Sequence, residues 1–382
     1  MAKKKILITF GTRPEAIKLA PLIHTLKHYP ENFEVIVCAT AQHREMLDQV
    51  NHTFGIVPDF DLNIMKSGQD LFDVTSKVLQ GMRDVINQTN PDILIVHGDT
   101  TTAMASAMAA FYKNILIAHV EAGLRTYNLR APFPEEFNRQ VVTKLSRWNF
   151  APSEGSRNNL LAEGINPDSV IVTGNTVIDS LFWILNRIKE DKTLTLQLQT
   201  QLRDKLNFDF QKSIFILITA HRRENFGEGI IQLSDALLYL SDMYPNVHFV
   251  YPVHRNPNIY EPVTKRLAGI ENVHLIEPLD YEAFLYLLKH CKFVLTDSGG
   301  LQEEAPSLGK PVLVMRDVTE RPEAVAAGTA RLIGANAEKI IANCTDLIDN
   351  ELSYTDMTTR VNPYGDGTAS QKIVAVLRDC VL

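Results

Sequence analysis

Cysteine is scarce in this chain: four of 382 residues, Cys38, Cys291, Cys344 and Cys380, lie far apart with no C-x-x-C pair. Four thiols cannot staple a chain this long, so a disulfide scaffold is excluded and reduced thiols in a cytoplasmic protein are expected. Long apolar runs are missing as well, and none approaches the roughly 20 residues of a bilayer span. Met-Ala-Lys-Lys-Lys at the start is like the basic end of a signal peptide, but the apolar stretch after it, Ile6 to Phe10, is too short for the hydrophobic region. No signal peptide is expected. Positive charge is in deficit: Lys+Arg number 38 against 45 Asp+Glu, a net charge of −7, which is the wrong sign for a general nucleic-acid or anionic-membrane binder. Any phosphate must be held locally. Neither G-x-G-x-x-G nor G-x-x-x-x-G-K-[ST] occurs, which argues against a dinucleotide cofactor and against a P-loop NTPase. His24 and His28 have a metal-like i, i+4 spacing, but no third ligand stands nearby and there is no H-E-x-x-H, so neither metal nor cofactor is expected.

The length, at roughly 150 residues per domain, suggests two domains or three. Apolar residues at 45% and charged residues at 22% are ordinary for a globular protein. Short β-branched apolar runs recur at 5–10, 33–39, 93–96, 115–119, 148–151 and 170–173, with helix-like stretches between most of them. A second series follows at 214–219, 247–253, 273–276, 293–296, 311–315 and 330–333. Nearly continuous apolar strands separated by helices indicate parallel sheets covered on both faces, and two such series predict an α/β protein of two Rossmann-like, doubly wound domains. The polar stretch from Lys189 to Lys212 has no strand pattern, so the boundary lies before or inside it. The expected division is 1–178 and 179–365, with a short helix in 366–382, after the turn cluster Asn362-Pro363-Tyr364-Gly365-Asp366-Gly367, packing back on the first domain. Trp148 and Trp183 suit core or domain-junction positions.

Ligands of doubly wound sheets bind beyond the carboxyl ends of the strands. The residues there are unusually polar: Gly11-Thr12-Arg13, Gln42-His43-Arg44, His97-Gly98-Asp99, His119-Val120-Glu121, His221-Arg222-Arg223-Glu224, His254-Arg255-Asn256 and Asp297-Ser298-Gly299-Gly300. Such a concentration points to a cleft between the domains. Around Pro14 the pattern reads strand, tight turn, helix start, and the helix N-terminus together with Arg13 predicts an anion site. In Asp297-Ser298-Gly299-Gly300-Leu301-Gln302-Glu303-Glu304 two glycines admit a bulky anion, and Glu304, about two turns beyond Ser298, could bond ribose hydroxyls. A glycine-rich turn followed by a solvated acidic helix would read the same way. Asp99 and Glu121 end buried strands, and Glu135 opens a helix after Pro134. Such carboxylates can move protons or stabilise an oxocarbenium-like sugar, although acids in a first helical turn are favoured by the dipole alone. From the residues alone, the chain is an enzyme that cleaves or forms a bond to a sugar held on a nucleoside diphosphate.

Taken in order, Phe-Gly-Thr-Arg-Pro-Glu (10–15), Thr-Ala-Gln-His-Arg (40–44), His-Gly-Asp-Thr-Thr (97–101), His-Val-Glu-Ala-Gly-Leu-Arg (119–125), Pro-Glu-Glu (134–136), His-Arg-Arg-Glu-Asn (221–225), Asp-Ser-Gly-Gly-Leu-Gln-Glu-Glu-Ala-Pro (297–306) and Thr-Glu-Arg-Pro-Glu (319–323) form a set. It resembles the bacterial UDP-N-acetylglucosamine 2-epimerases of the non-hydrolysing type. The resemblance implies a glycosyltransferase-B architecture, a homodimer, and UDP-GlcNAc and UDP-ManNAc as substrate and product. It implies Asp99, Glu121, Glu135 and His221 as catalytic residues, without saying which carboxylate is base and which acid. Arg13, Phe284, Ser298, Gly299, Gly300, Glu304 and Arg321 match its UDP pocket, with Glu304 on the ribose. Gln42, Gln69, Arg222 and His254 match positions where some members bind a second UDP-GlcNAc as activator. The chain departs from the pattern at Gly68, where activator-dependent members carry a basic side chain, and at Arg130-Ala131, which replaces Tyr-Ser. The same residues would also suit a hydrolysing epimerase that releases free ManNAc, a glycosyltransferase moving GlcNAc to an acceptor, or an idle nucleotide-sugar sensor.

Overall fold

The structure, a computed structural model, describes residues 3–40, 44–66 and 68–381. It divides into two compact units, Met1–Ser180 with Tyr364–Leu382, and Leu181–Pro363. Unit 1 runs β1 (Lys4–Phe10), α1 (Arg13–Lys27), β2 (Phe33–Ala39), α2 (Arg44–Phe54), β3 (Phe60–Asp61), α3 (Leu71–Thr89), β4 (Ile93–His97), α4 (Thr101–Tyr112), β5 (Leu116–Val120), α5 (Glu135–Leu145), β6 (Trp148–Ala151), α6 (Glu154–Ala162), β7 (Val170–Val172) and α7 (Thr176–Glu190). The unit boundary falls inside α7, between Ser180 and Leu181. Unit 2 continues with α8 (Lys192–Lys205), β8 (Phe215–Thr219), α9 (Glu228–Met243), β9 (His248–Pro252), α10 (Pro257–Leu267), β10 (Val273–Ile276), α11 (Tyr281–His290), β11 (Phe293–Thr296), α12 (Gly299–Glu304), β12 (Val312–Val314), α13 (Pro322–Ala326), β13 (Ala330–Leu332), α14 (Ala337–Asp349) and α15 (Glu351–Thr358). The chain ends in α16 (Ala369–Asp379), which belongs to unit 1.

Both sheets are parallel, with strand orders β3-β2-β1-β4-β5-β6-β7 and β10-β9-β8-β11-β12-β13. The two doubly wound sheets expected from the alternation are therefore present. The order reverses between β1 and β4 in unit 1 and between β8 and β11 in unit 2, and a parallel sheet opens a crevice at such a point. The loops after those four strands are the places the fold reserves for ligands.

The strands form because Ile, Val, Leu and Phe follow one another without polar interruption, so both faces must be covered. Leu7, Leu94 and Val96 pack with Val78 and Met82 of α3 and Ala107 of α4 in unit 1, and Ile218, Phe249 and Leu295 with Leu237 of α9 and Leu347 of α14 in unit 2. Each such side chain contributes about 1.5–3 kcal/mol by leaving water. The polar stretch without a strand pattern is largely α8, anchored by buried Leu198 and Leu202 and capped by Asp191, which accepts from the N–H groups of Thr193 and Leu194. One strand escapes the sequence pattern: β3 is two residues long, too short to show any periodicity.

Helix α16 packs on α1, and its ends are tied from a distance. Asp179 accepts from the N–H groups of Ala369 (3.2 Å) and Ser370 (2.7 Å), supplying the first turn with a cap that Thr368 does not. Lys4 Nζ donates to the carbonyls of Leu377, Arg378 and Cys380 at 2.6–2.8 Å, satisfying the last turn. The four cysteines are unpaired, and Cys38, Cys291 and Cys344 are buried. His24 and His28 face backbone carbonyls, of Phe54 and His24 respectively, each at 2.8 Å. Trp148 is buried beneath the guanidinium of Arg147, and the Arg187 guanidinium lies over Trp183. No helix among the described residues is long and apolar enough to cross a membrane.

Candidate active site

In unit 1 the turn after β1 closes on itself. Glu15 is buried, and its Oε2 accepts the N–H groups of Gly11 (3.0 Å) and Thr12 (2.7 Å), while Oε1 accepts the hydroxyl of Thr100 (2.6 Å). The amides counted on for the anion site at the start of α1 are therefore only partly open. Two of the amides that would greet a phosphate are already taken by the chain's own carboxylate, and half-buried Arg13 is the cation left at that turn. Burial pushes the Glu15 carboxyl above its usual range, against the hydrogen bonds from Thr100, Gly11 and Thr12.

Thr100 sits beside Asp99, which follows β4 after Gly98 in the left-handed region (φ +65°). Asp99 Oδ2 accepts from Arg139 Nη2 at 2.5 Å, and its backbone carbonyl accepts from Asn138 Nδ2 at 2.9 Å. Burial raises the Asp99 carboxyl, the Arg139 guanidinium lowers it, and the charges of Glu121 and Glu135 raise it further. Asp99 thus lies close enough to Glu121 and Glu135 to feel the charge of both.

Glu121 follows β5 in the left-handed region (φ +63°), a conformation that a glutamate adopts at a cost and that its surroundings must enforce. Its Oε2 is bonded to Lys18 Nζ of α1 and to Asn175 Nδ2 (2.8 Å), and lies 3.7 Å from His97 Nε2. His97 and His119 are buried on adjacent strands. Burial pushes them down to about 3 and about 4, so both rings are neutral. Glu135 is half-buried at the first position of α5. Its neighbour Glu136 is fully buried and accepts from the N–H groups of Thr126 (3.0 Å) and Tyr127 (3.2 Å), from Gln140 (2.8 Å) and from Arg139 (3.3 Å). Burial opposes its charge, but those donors hold its carboxyl below the usual range. Of the two acids in Pro-Glu-Glu, Glu136 clamps the preceding loop and Glu135 stands apart from that network.

In unit 2 the organising group is Asp297, fully buried at the end of β11. Its Oδ2 accepts the N–H groups of His221 and Arg222, each at 2.8 Å, and Asn225 Nδ2 at 3.1 Å, while Oδ1 lies 3.3 Å from His221 Nδ1. The loop after β8 is thereby pinned to the loop after β11, and with Nδ1 facing Asp297 the ring's other polar atom is Nε2. Burial pushes His221 below its usual value, with Asp297 pulling the other way. The rings of His221 and His254 stack 6.3 Å apart.

Gly299 and Gly300 open α12, and a Cβ at Gly299 would stand 3.7 Å from the Arg222 guanidinium. Glu304 closes the helix, with Oε1 accepting the Tyr281 hydroxyl at 2.7 Å. Phe284 lies one turn further along α11, half-buried. Arg321 is bonded to buried Glu303, and its N–H donates to Thr319 Oγ1, whose hydroxyl donates to Gln302.

The structure therefore gathers Asp99, Glu121 and Glu135 in unit 1, and His221, Arg222, His254, Ser298, Gly299 and Gly300 in unit 2. Gln69 accepts from Lys66 N in unit 1, and Gln42 lies outside the described residues. Sequence reasoning missed the partners Lys18, Arg139 and Asn175 around the carboxylates and Tyr281 beside Glu304, and it named His97 only as part of a polar strand end. One signal was available for Arg139, because it follows Glu135 at i+4 on the same helix, but its actual partners are Glu136 and Asp99.

Residues 24–378 match the family described as UDP-N-acetylglucosamine 2-epimerase. The chain is 52% identical over 375 residues to the UDP-N-acetylglucosamine 2-epimerase of Campylobacter jejuni, with 98% of this chain and 97% of that protein covered. It is 49% identical over 375 residues to that of Escherichia coli (strain K12), with 98% of each covered. The crystal structure of UDP-GlcNAc 2-epimerase from Neisseria meningitidis bound to UDP-GlcNAc superposes with a TM-score of 0.88 at 51% identity, covering 98% of this chain and 99% of that one. With its motifs, its two doubly wound sheets and its near full-length relatives in agreement, this chain belongs to the UDP-N-acetylglucosamine 2-epimerase family.

Proposed function

We propose that this protein interconverts UDP-GlcNAc and UDP-ManNAc by inverting C2 of the sugar without releasing it by hydrolysis. The observation that carries this reading is the group of three carboxylates, with Asp99 close enough to Glu121 and Glu135 for both charges to raise its proton affinity, and each rooted on a different element. The C2 proton of the sugar is not acidic. Breaking the C1–O bond to UDP leaves an oxocarbenium-like C1, which acidifies C2, and removal of that proton by a carboxylate gives 2-acetamidoglucal. Readdition of the UDP oxygen to C1, with a proton delivered to the opposite face of C2, inverts that centre alone. Proton carriers on two faces are required, which explains the need for more than one carboxylate.

Unit 2 supplies the groups for the nucleotide: Ser298, Gly299 and Gly300 toward diphosphate, Glu304 toward ribose, Phe284 and Arg321 in the same pocket. His221, oriented by Asp297, holds the departing UDP so that it returns to C1 before water does. A cytoplasmic homodimer supplying ManNAc for surface polysaccharide completes the reading, on the strength of the family resemblance.

The test is incubation of the pure protein with UDP-GlcNAc in D2O, without acceptor, followed by NMR. UDP-ManNAc carrying deuterium at C2 is the expected product. Free ManNAc with UDP would replace this reading by a hydrolysing epimerase, and unchanged substrate would overturn it in favour of a transferase or a sensor.

A further inference from the structure

Arg139 of α5 is 8% exposed, yet its guanidinium spans two acids. Nη2 donates to Asp99 Oδ2 at 2.5 Å and Nη1 to Glu136 Oε2 at 3.3 Å. Glu136 cannot drift, because two backbone N–H groups and Gln140 hold it. Asn138, the residue before, grips the Asp99 carbonyl. Helix α5 thus holds Asp99 by backbone and side chain together. The Nε of Arg139 is buried and has no hydrogen-bond partner among the described residues. A buried guanidinium with an unanswered donor is a poor device for stability, since desolvation offsets much of what the ion pair gains. Its retention calls for another reason.

That reason is the charge environment of Asp99. Glu121 and Glu135 face it with like charge, and burial acts in the same direction. The cation Lys18, with His97 and Asn175, is directed to Glu121 instead. Arg139 is the cation bonded to Asp99 itself.

We propose that Arg139 is a positioning residue of the epimerisation, fixing the orientation of Asp99 and favouring its carboxylate form against the like charges of Glu121 and Glu135. This rests on the C2 proton chemistry proposed above. Lysine at the same position would keep the charge but lose the two-armed geometry, whereas glutamine would lose the charge.

The test compares wild type, Arg139→Lys, Arg139→Gln and the double variant Arg139→Gln/Glu136→Gln, which removes the buried acid that the single change would strand. The pH dependence of kcat/KM is measured for each, together with a 13C titration of the aspartate carboxyls in which the Asp99 signal is identified by its loss in Asp99→Asn. Removing the cation should move the acidic limb of the profile, and the Asp99 titration, upward by about one unit or more. On the acidic side of the limb kcat/KM should fall about tenfold for each unit of that shift, recovering as pH rises, with KM changed less than about threefold. Arg139→Lys should bring the limb back toward wild type. A uniform loss at every pH, or an Asp99 titration unmoved by the glutamine variants, overturns the proposal. If the wild type itself fails to turn over UDP-GlcNAc, the functional reading fails, while the carboxyl titration still decides on Arg139.

Discussion

Glu15 Oε1 accepts the Thr100 hydroxyl at 2.6 Å, tying the turn after β1 to the turn that carries Asp99. Its other oxygen holds the N–H groups of Gly11 and Thr12. A glutamine can reproduce this pattern, its carbonyl accepting from the two N–H groups and its amide donating to Thr100 Oγ1. Glu15→Gln should therefore cost less than about 1 kcal/mol, whereas Glu15→Ala strands buried donors and should cost about 2–5 kcal/mol. Urea unfolding of both variants checks this. Equal losses would show that the charge, and not the hydrogen-bond geometry, matters.

Gly123, two residues after Glu121, has φ +96°, and a Cβ there would stand 2.3 Å from the Ser156 carbonyl oxygen. Backbone meets backbone, so no side chain can swing aside. Gly98 also has a positive φ, +65°, but a Cβ there meets nothing within 4 Å. Gly98→Ala should cost only the left-handed conformation, about 1–2 kcal/mol, and Gly123→Ala clearly more, above about 3 kcal/mol. Thermal midpoints of the two variants side by side decide the matter, and a reversed order would contradict the steric argument.

The Tyr281 hydroxyl occupies Glu304 Oε1, which fixes the carboxylate proposed above for the ribose. Tyr281→Phe should weaken UDP binding about two- to tenfold, the worth of one hydrogen bond. Binding of 2′,3′-dideoxy-UDP, which lacks both ribose hydroxyls, should change little. Calorimetric titration with both nucleotides separates the cases, and parallel losses would place Tyr281 outside ribose recognition.

His119 is buried, with Nε2 2.7 Å from the Gly98 carbonyl, and burial pushes it from 6.5 down to about 4. The folded protein holds it neutral, while the unfolded chain takes up a proton as pH falls below about 6.5. Its contribution to stability is therefore complete above that value and is lost as pH falls toward about 4. His119→Gln keeps a donor near the Gly98 carbonyl and cannot titrate. Between pH 7.5 and 5 the wild type should lose stability more steeply than this variant, approaching about 1.4 kcal/mol per unit at the lower end. Denaturant unfolding at several pH values measures the slopes, and parallel slopes would mean that His119 is not neutral in the fold.

Much of the fold was legible because its signals are local. Apolar β-branched runs marked β2, β6, β10 and β11 to the residue, and the polar strand ends marked Asp99, Glu121 and His221. What was hidden lies in pairs far apart in the chain. Lys18 reaches Glu121 across 103 positions, Arg139 reaches Asp99 across 40, and Thr100 reaches Glu15 across 85. No periodicity records such pairs, since each depends on which strands the crossovers set side by side. The anion site expected beside Arg13 shows the difference: the helix start was read correctly, but only the packed structure put Glu15 on the amides of Gly11 and Thr12.

The sequence by itself determined the two doubly wound sheets and the residue types at their switch points, because hydrophobic runs and turn chemistry act over a few neighbouring residues. The tertiary structure alone decided the orientation and ion-pair partners of the carboxylates, because burial and the choice of cation, Lys18 for Glu121 and Arg139 for Asp99, arise only when distant segments exclude water around one another.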